Sequence, residues 1–193
     1  MVNTNTKDNM AKDQNSSNKE NPMRTIVIDK LTLNIGTGKD QVLLEKAEKL
    51  LKALTNVAPV RTITQKRIAA WGLRPGLPIG CRITLRDQSA IDMIPRLLAA
   101  KEFKLDLNNF DENGNVSFGI KEYIDIKDSK YDPQIGVIGL QCSITLQRPG
   151  FRIKRRKLFK KTIPIKHRIP RVDAITFMKN KFNIKIASEE DAE

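Results

Sequence analysis

The chain has few of the side chains that hold metals. It contains two cysteines, Cys81 and Cys142, and one histidine, His167, among 193 residues. A structural zinc takes about four nitrogen or sulfur ligands, so no metal site is expected, and no cofactor either. The two cysteines lie far apart inside alternating apolar stretches. They read as small buried hydrophobes in a reducing compartment. Long apolar runs are missing too. Nothing approaches the roughly 20 residues of a membrane span, and the N-terminus has no continuous apolar stretch of the signal-peptide kind. An intracellular, soluble chain with no membrane partner is expected.

Acid is the other scarcity, and it is local. From Lys49 to Arg86 there are eight basic residues and no acid. From Arg148 to Lys185 there are fourteen Lys and Arg against one acid, Asp173, an excess as large as the +13 of the whole chain. The ends differ: residues 1–20 balance, and the last five residues carry Glu189, Glu190, Asp191 and Glu193. So lopsided a charge calls for a polyanion. Phosphate backbones are the commonest, because each cation that neutralises a phosphate releases condensed counterions.

What is present is a folded domain with a charged surface, since 39% of the residues are hydrophobic. Residues 1–21 contain six Asn and almost nothing apolar, and are expected to be a disordered tail. An α+β RNA-binding domain is expected over 22–148, a basic extension with a short helix over 149–187, and an acidic tail over 188–193. Within the domain, Arg24 to Ile35 alternates as a strand, Asp40 to Leu54 carries one apolar helical stripe with Asp40 as N-cap, and Pro59 to Thr64 is a short strand. Ile79 to Arg86 is a second clean strand. Ser89 to Lys101 is a second amphipathic helix, in which Pro95 predicts a kink or a displaced start. Asn113-Gly114 marks a hairpin. Ile135 to Arg148 is a long strand, Asp173 to Phe182 a helix, and Asn183 to Ala187 a last strand.

The clearest strands share a design: one apolar face for the helices and one face of Lys, Arg, Thr, Asn, Ser and Gln. That predicts a two-layer sandwich, a mostly antiparallel sheet with helices on one face and an open polar face. Lys30, Thr32 and Asn34 point to that face from the first strand, and Arg82, Thr84 and Arg86 from Ile79 to Arg86. A merely solvated face mixes both signs of charge. Cations and neutral hydrogen-bonders without carboxylates suit RNA, with its phosphates and 2′-hydroxyls. The connection Thr64, Gln65, Lys66, Arg67 to Trp71 and on to Pro78 is basic, and its second half is shaped by two Gly and two Pro. Trp71 is either a core plug or an aromatic lying against nucleic acid.

The segments MRTIVIDKLTLNIGTGKD, LTNVAPV, LRPGLPIGCRITLR, NFDENGNVSFGI, YDPQIGVIGL and RPGFRIKRR occur in this order. Together they resemble the large-subunit ribosomal protein L-five family, the universal 5S rRNA-binding protein, over roughly residues 22–186. The basic extension resembles the archaeal and eukaryotic type. The resemblance implies a place on the cytoplasmic ribosome, in the central protuberance of the large subunit beside neighbouring ribosomal proteins. It implies 5S rRNA on the sheet face, where Asn34 and Thr84 match the family's contact positions; Lys30, Thr32, Arg82 and Arg86, on the same polar strand faces, are expected to join them. It implies P-site tRNA at the loop, through Thr64, Gln65, Lys66, Arg67 and Trp71. Large rRNA is then expected at Arg148, Arg152, Arg155, Arg156, Lys160 and Lys161. Two departures stand out: TQKR where bacterial relatives commonly have AKK, and Asn56-Val57 where Gly-Gln commonly follows.

No enzyme is expected. The Asn34-Ile35-Gly36-Thr37-Gly38 turn lacks the third glycine of a dinucleotide fingerprint and the Lys-Ser/Thr of a P-loop. His167 has no carboxylate, Ser or Cys near it in sequence, so a nucleophilic triad has no support. The alternative function is a nonspecific RNA-binding chaperone working through the extension alone. A protein–protein adaptor would need an exposed apolar patch that the sequence does not show.

Overall fold

The computed structural model describes residues 21–127 and 129–187. The Asn-rich tail, apart from Asn21, and the acidic tail lie outside them. Five antiparallel strands form the main sheet in the order β2-β3-β1-β6-β5. They are β1 (Val27–Gly36), β2 (Val60–Ile63), β3 (Pro78–Leu85), β5 (Asn115–Ile120) and β6 (Leu140–Gln147). Two helices, α1 (Gln41–Thr55) and α2 (Asp87–Ala99), bury their apolar stripes against this sheet. Leu31, Leu33, Ile35, Cys81, Ile83, Leu85, Cys142, Ile144 and Leu146 form the sheet's half of the core. Leu44, Ala47, Leu50 and Leu51 of α1 and Met93, Ile94, Leu97 and Leu98 of α2 form the other half. Full burial of one such side chain is worth about 1.5–3 kcal/mol, so the period-2 and period-3.6 patterns dictate which face turns inward. Both cysteines are buried and free, as expected.

Helix boundaries follow local chemistry. The Asp40 carboxylate accepts from the Val42 and Leu43 N–H groups (2.9 and 3.3 Å), and α1 ends at Asn56 in the left-handed region. Pro95 does not displace the start of α2, which begins at Asp87 and carries Pro95 on its exposed side.

Two expectations on the elements need correction. The long strand from Ile135 is shorter: residues 135–139 are irregular, and pairing starts at Leu140. Gly136 at φ 78° breaks the extended path, and at Gly139 a side chain would sit 2.8 Å from the Lys121 carbonyl oxygen. The turn-rich stretch after Asn108 contains β5, whose Val116, Phe118 and Ile120 alternate inward. The last strand expected over Asn183 to Ala187 is present as β7 (Lys185–Ala187), and it pairs in parallel with a short β4 (Lys104–Asp106) after α2. β4, of three residues, leaves too little alternation to read in advance.

The extension is built, not draped. A single helical turn (Phe151–Lys154), a second (Ile165–His167) and helix α3 (Arg171–Phe182) follow β6. Phe151, Ile163, Ile169, Ala174, Met178 and Phe182 join the common core. Gly114, at φ 77°, forms the tip of the turn before β5, and a side chain there would strike Ile169 at 2.8 Å. The turn is thus tucked beneath the extension.

Candidate nucleic-acid interface

The strand register assembles the polar face row by row. Thr84, Thr32, Ser143 and Ser117 lie side by side across β3, β1, β6 and β5. The next row is Arg82, Asn34, Gln141 and Gly119; on the other side lie Lys30, Thr145 and Asn115. Asn34 Nδ2 donates to Gln141 Oε1 at 3.1 Å, and the Ser117 and Ser143 hydroxyls are 3.0 Å apart. These contacts hold the side chains in register and leave further donors and acceptors facing out. No Asp or Glu sits in any of these rows; the Asp111 carboxylate lies at the edge, where it accepts from Asn115 Nδ2 at 2.9 Å.

A groove of about 420 Å³ runs along this face. Lys30, Thr32, Arg82, Thr84 and Arg86 line its floor, and Val57, Ala58 and Val60 form its wall. Among the described residues, Lys30, Arg82 and Arg86 have no carboxylate partner. The sequence placed these residues on one face; the fold brings all but Asn34 into one groove, with Asn34 beside Arg82 in the same row. The contributions of β5 and β6, namely Asn115, Ser117, Gln141, Ser143 and Thr145, were not among the expected contacts. Alternation in NVSFGI was the signal for β5, masked by the turn residues before it.

Acids near this sheet are engaged on the helix side or at its end. Glu48 of α1 holds Arg61 of β2, with Arg61 Nη2 3.1 Å from Oε2. That bond keeps the Glu48 carboxyl below its ordinary range. Asp29 sits at a bulge in β1, its side chain 11% exposed, and takes Arg155 at 3.2 Å.

The connection between β2 and β3 is a small hairpin of its own. Thr64 and Leu77 close its base: the Thr64 N–H and hydroxyl both donate to the Leu77 carbonyl (2.9 and 3.0 Å). Ile68 and Leu73 exchange two backbone bonds of 3.0 Å, and Gly72 at φ 66° closes the tip. Trp71 stands at that tip 68% exposed, which excludes the core-plug reading. Gln65, Lys66 and Arg67 are exposed on the same loop. Thr64 is buried and shapes the base.

In the extension the expected contacts divide. Arg148 is 6% exposed; Nη2 donates to Asp173 at 2.7 Å and Nη1 to the Arg168 carbonyl at 3.1 Å. It is an internal clamp between β6 and α3. Arg155 is tied to Asp29 and to Gln147 (3.0 Å), and Arg156 Nε donates to the Phe159 carbonyl at 2.9 Å. Arg152, Lys160 and Lys161 are exposed, with no side-chain partner among the described residues. His167 Nε2 donates to the Pro149 carbonyl at 2.9 Å, and its ring packs edge-on to Phe151, a structural role. Among the described residues no three His, Cys, Asp or Glu cluster as a metal site would require. No described helix is long and apolar enough to cross a membrane.

Residues 21–74 match the family model Ribosomal protein L5, and residues 78–168 match the model of that family's C-terminal region. The chain belongs to the ribosomal protein L5 family. The large ribosomal subunit protein uL5 of Sulfolobus acidocaldarius is 47% identical over 168 residues, covering 87% of this chain and 94% of the relative. The proteins of the same name from Sulfurisphaera tokodaii and Nanoarchaeum equitans are 45% and 42% identical, each over 86% of this chain and over 94% and 99% of their own lengths. Family membership makes this a ribosomal protein with a structural role and not an enzyme.

Proposed function

We propose that this chain, as a component of the large ribosomal subunit, holds 5S rRNA against its polar sheet face. The observation that carries this reading is the carboxylate-free groove floored by Lys30, Thr32, Arg82, Thr84 and Arg86. Cations there neutralise phosphates, while hydroxyls and amides in fixed register meet sugar and base edges. The hairpin carrying Gln65, Lys66, Arg67 and Trp71 presents these side chains exposed and suits an encounter with P-site tRNA in the central protuberance. Exposed cations of the extension, Arg152, Lys160 and Lys161, suit the large rRNA. Arg148 belongs to the protein's interior in this reading, and Arg155 and Arg156 shape the surface the others occupy.

The test is a filter-binding titration of the full chain against 5S rRNA and a tRNA pool at two salt concentrations. A dedicated 5S rRNA protein keeps its 5S affinity well above its tRNA affinity as salt rises. Parallel loss for both RNAs means that charge alone is at work, as for a nonspecific chaperone.

A further inference from the structure

The stretch after the Phe151–Lys154 turn is a closed loop with an unusual tip. The Lys161 N–H donates to the Ile153 carbonyl at 3.2 Å, and the Arg155 and Arg156 N–H groups donate to the Arg152 carbonyl at 2.9 and 3.0 Å. Arg155 pins the loop to Asp29 and Gln147, and Arg156 holds the Phe159 carbonyl. This scaffold leaves Leu158 72% and Phe159 83% exposed. Phe159 also adopts φ 51°, the left-handed region that a bulky side chain rarely occupies without strain. Burial does not explain the residue, and glycine or asparagine would satisfy the turn at less cost. Phe151, eight positions earlier, is the contrast: it is buried, with the Lys154 ammonium 5.0 Å from its ring centre.

We propose that Phe159 is a stacking residue for an unpaired RNA base. The phenyl face offers a sequence-tolerant platform, and Arg152, Lys157, Lys160 and Lys161 around it take the flanking phosphates. Charge selects this partner: no Asp or Glu occurs between Arg148 and Val172. Two arginines that a charge count would assign to RNA have a different task here, holding the loop that presents the ring. The inference rests on the reading that the extension contacts large rRNA, and it adds the element that charge does not provide.

The test titrates large-subunit rRNA with the full chain and with its Phe159→Ala, Phe159→Leu and Phe159→Tyr variants, at two salt concentrations. Stacking predicts about tenfold weaker binding for Ala and Leu and near-normal binding for Tyr, because only the ring is shared. The salt slope should stay as in the parent chain, since no phosphate contact is lost. Affinity for 5S rRNA, held elsewhere, should not move in any variant. Equal binding by Phe and Ala overturns the proposal, and so does full binding by Leu, which would mark a merely apolar contact such as a protein partner makes. A parent chain with no affinity for large rRNA overturns the extension reading together with it; a parent that binds with indifferent variants overturns the stacking alone.

Discussion

The sheet face and the C-terminal extension are both basic, yet they use their charge differently. On the sheet face, Lys30, Arg82 and Arg86 are few, project from a rigid five-stranded floor and have no carboxylate partner among the described residues. The extension holds far more cations, but Arg148 and Arg155 are spent on Asp173 and Asp29, Arg156 on a backbone carbonyl, and Lys154 and Lys181 on aromatic rings. Charge counted along a sequence therefore overstates what an extension can offer RNA. The proposed 5S rRNA footprint is instead a short row of cations without carboxylate partners among fixed hydroxyls.

The sharpest way to break this comparison is to place an acid on the sheet face. Arg82→Glu should lower 5S rRNA affinity on the order of 100-fold at low salt, through lost contact and new repulsion. Filter binding with unfolding controls measures it; loss below threefold would remove the face from the 5S site. Next is the extension's internal clamp. Asp173→Ala leaves Arg148 buried without its partner and should cost about 2 kcal/mol of stability in urea unfolding. That is below the roughly 3–5 kcal/mol of a fully buried pair, because 44% of the Asp173 side chain is exposed. Arg148→Met, which removes the charge and the need together, should cost less. If Asp173→Ala unfolds like the parent, Arg148 is not the clamp described here.

Smaller effects sharpen the same contrast. Asn34→Ala and Thr84→Ala should each weaken 5S rRNA binding by about 1–2 kcal/mol with little change in stability, since both face the groove side and not the core. A folded double mutant with unchanged affinity would sink the register argument. The smallest effect concerns the core behind the face. Burial pushes the Cys81 thiol from its usual 9.0 up to about 11, and the Cys142 thiol up to about 12. The folded chain keeps both protons where the unfolded chain gives them up. This contribution is complete below pH 9 and is lost as pH rises from there through 11 and 12. By pH 10 about 1.4 kcal/mol of it per thiol should have been lost. The Cys81→Ala, Cys142→Ala chain should lose less stability than the parent between pH 8 and 10; an equal loss would contradict the assignment.

Much of this was legible beforehand for a physical reason. In β1 and β3, alternation over Lys30 to Ile35 and Ile79 to Arg86 fixes which side chains face the helices, so it also fixes Thr32, Asn34, Arg82 and Thr84 on the opposite face. The helices announced themselves by period and by the Asp40 cap. The fate of individual cations was not legible: Arg148 meets Asp173 only because β6 and α3 pack together, and Arg155 meets Asp29, 126 positions away, only through the β1 bulge. Those are tertiary pairings with no local signature. Trp71 was ambiguous for the same reason, until the Ile68–Leu73 bridge placed it at a tip.

The measurement that tests the central claim most directly compares two full-length variants for 5S rRNA binding at two salt concentrations. One carries Arg82→Glu; the other carries Arg152→Ala, Lys160→Ala and Lys161→Ala. The account predicts that the single change on the sheet face abolishes most of the 5S affinity, while the triple change leaves it within about threefold and lowers only the affinity for large rRNA. The reverse pattern, with 5S binding lost in the extension variant and kept in the face variant, would contradict it.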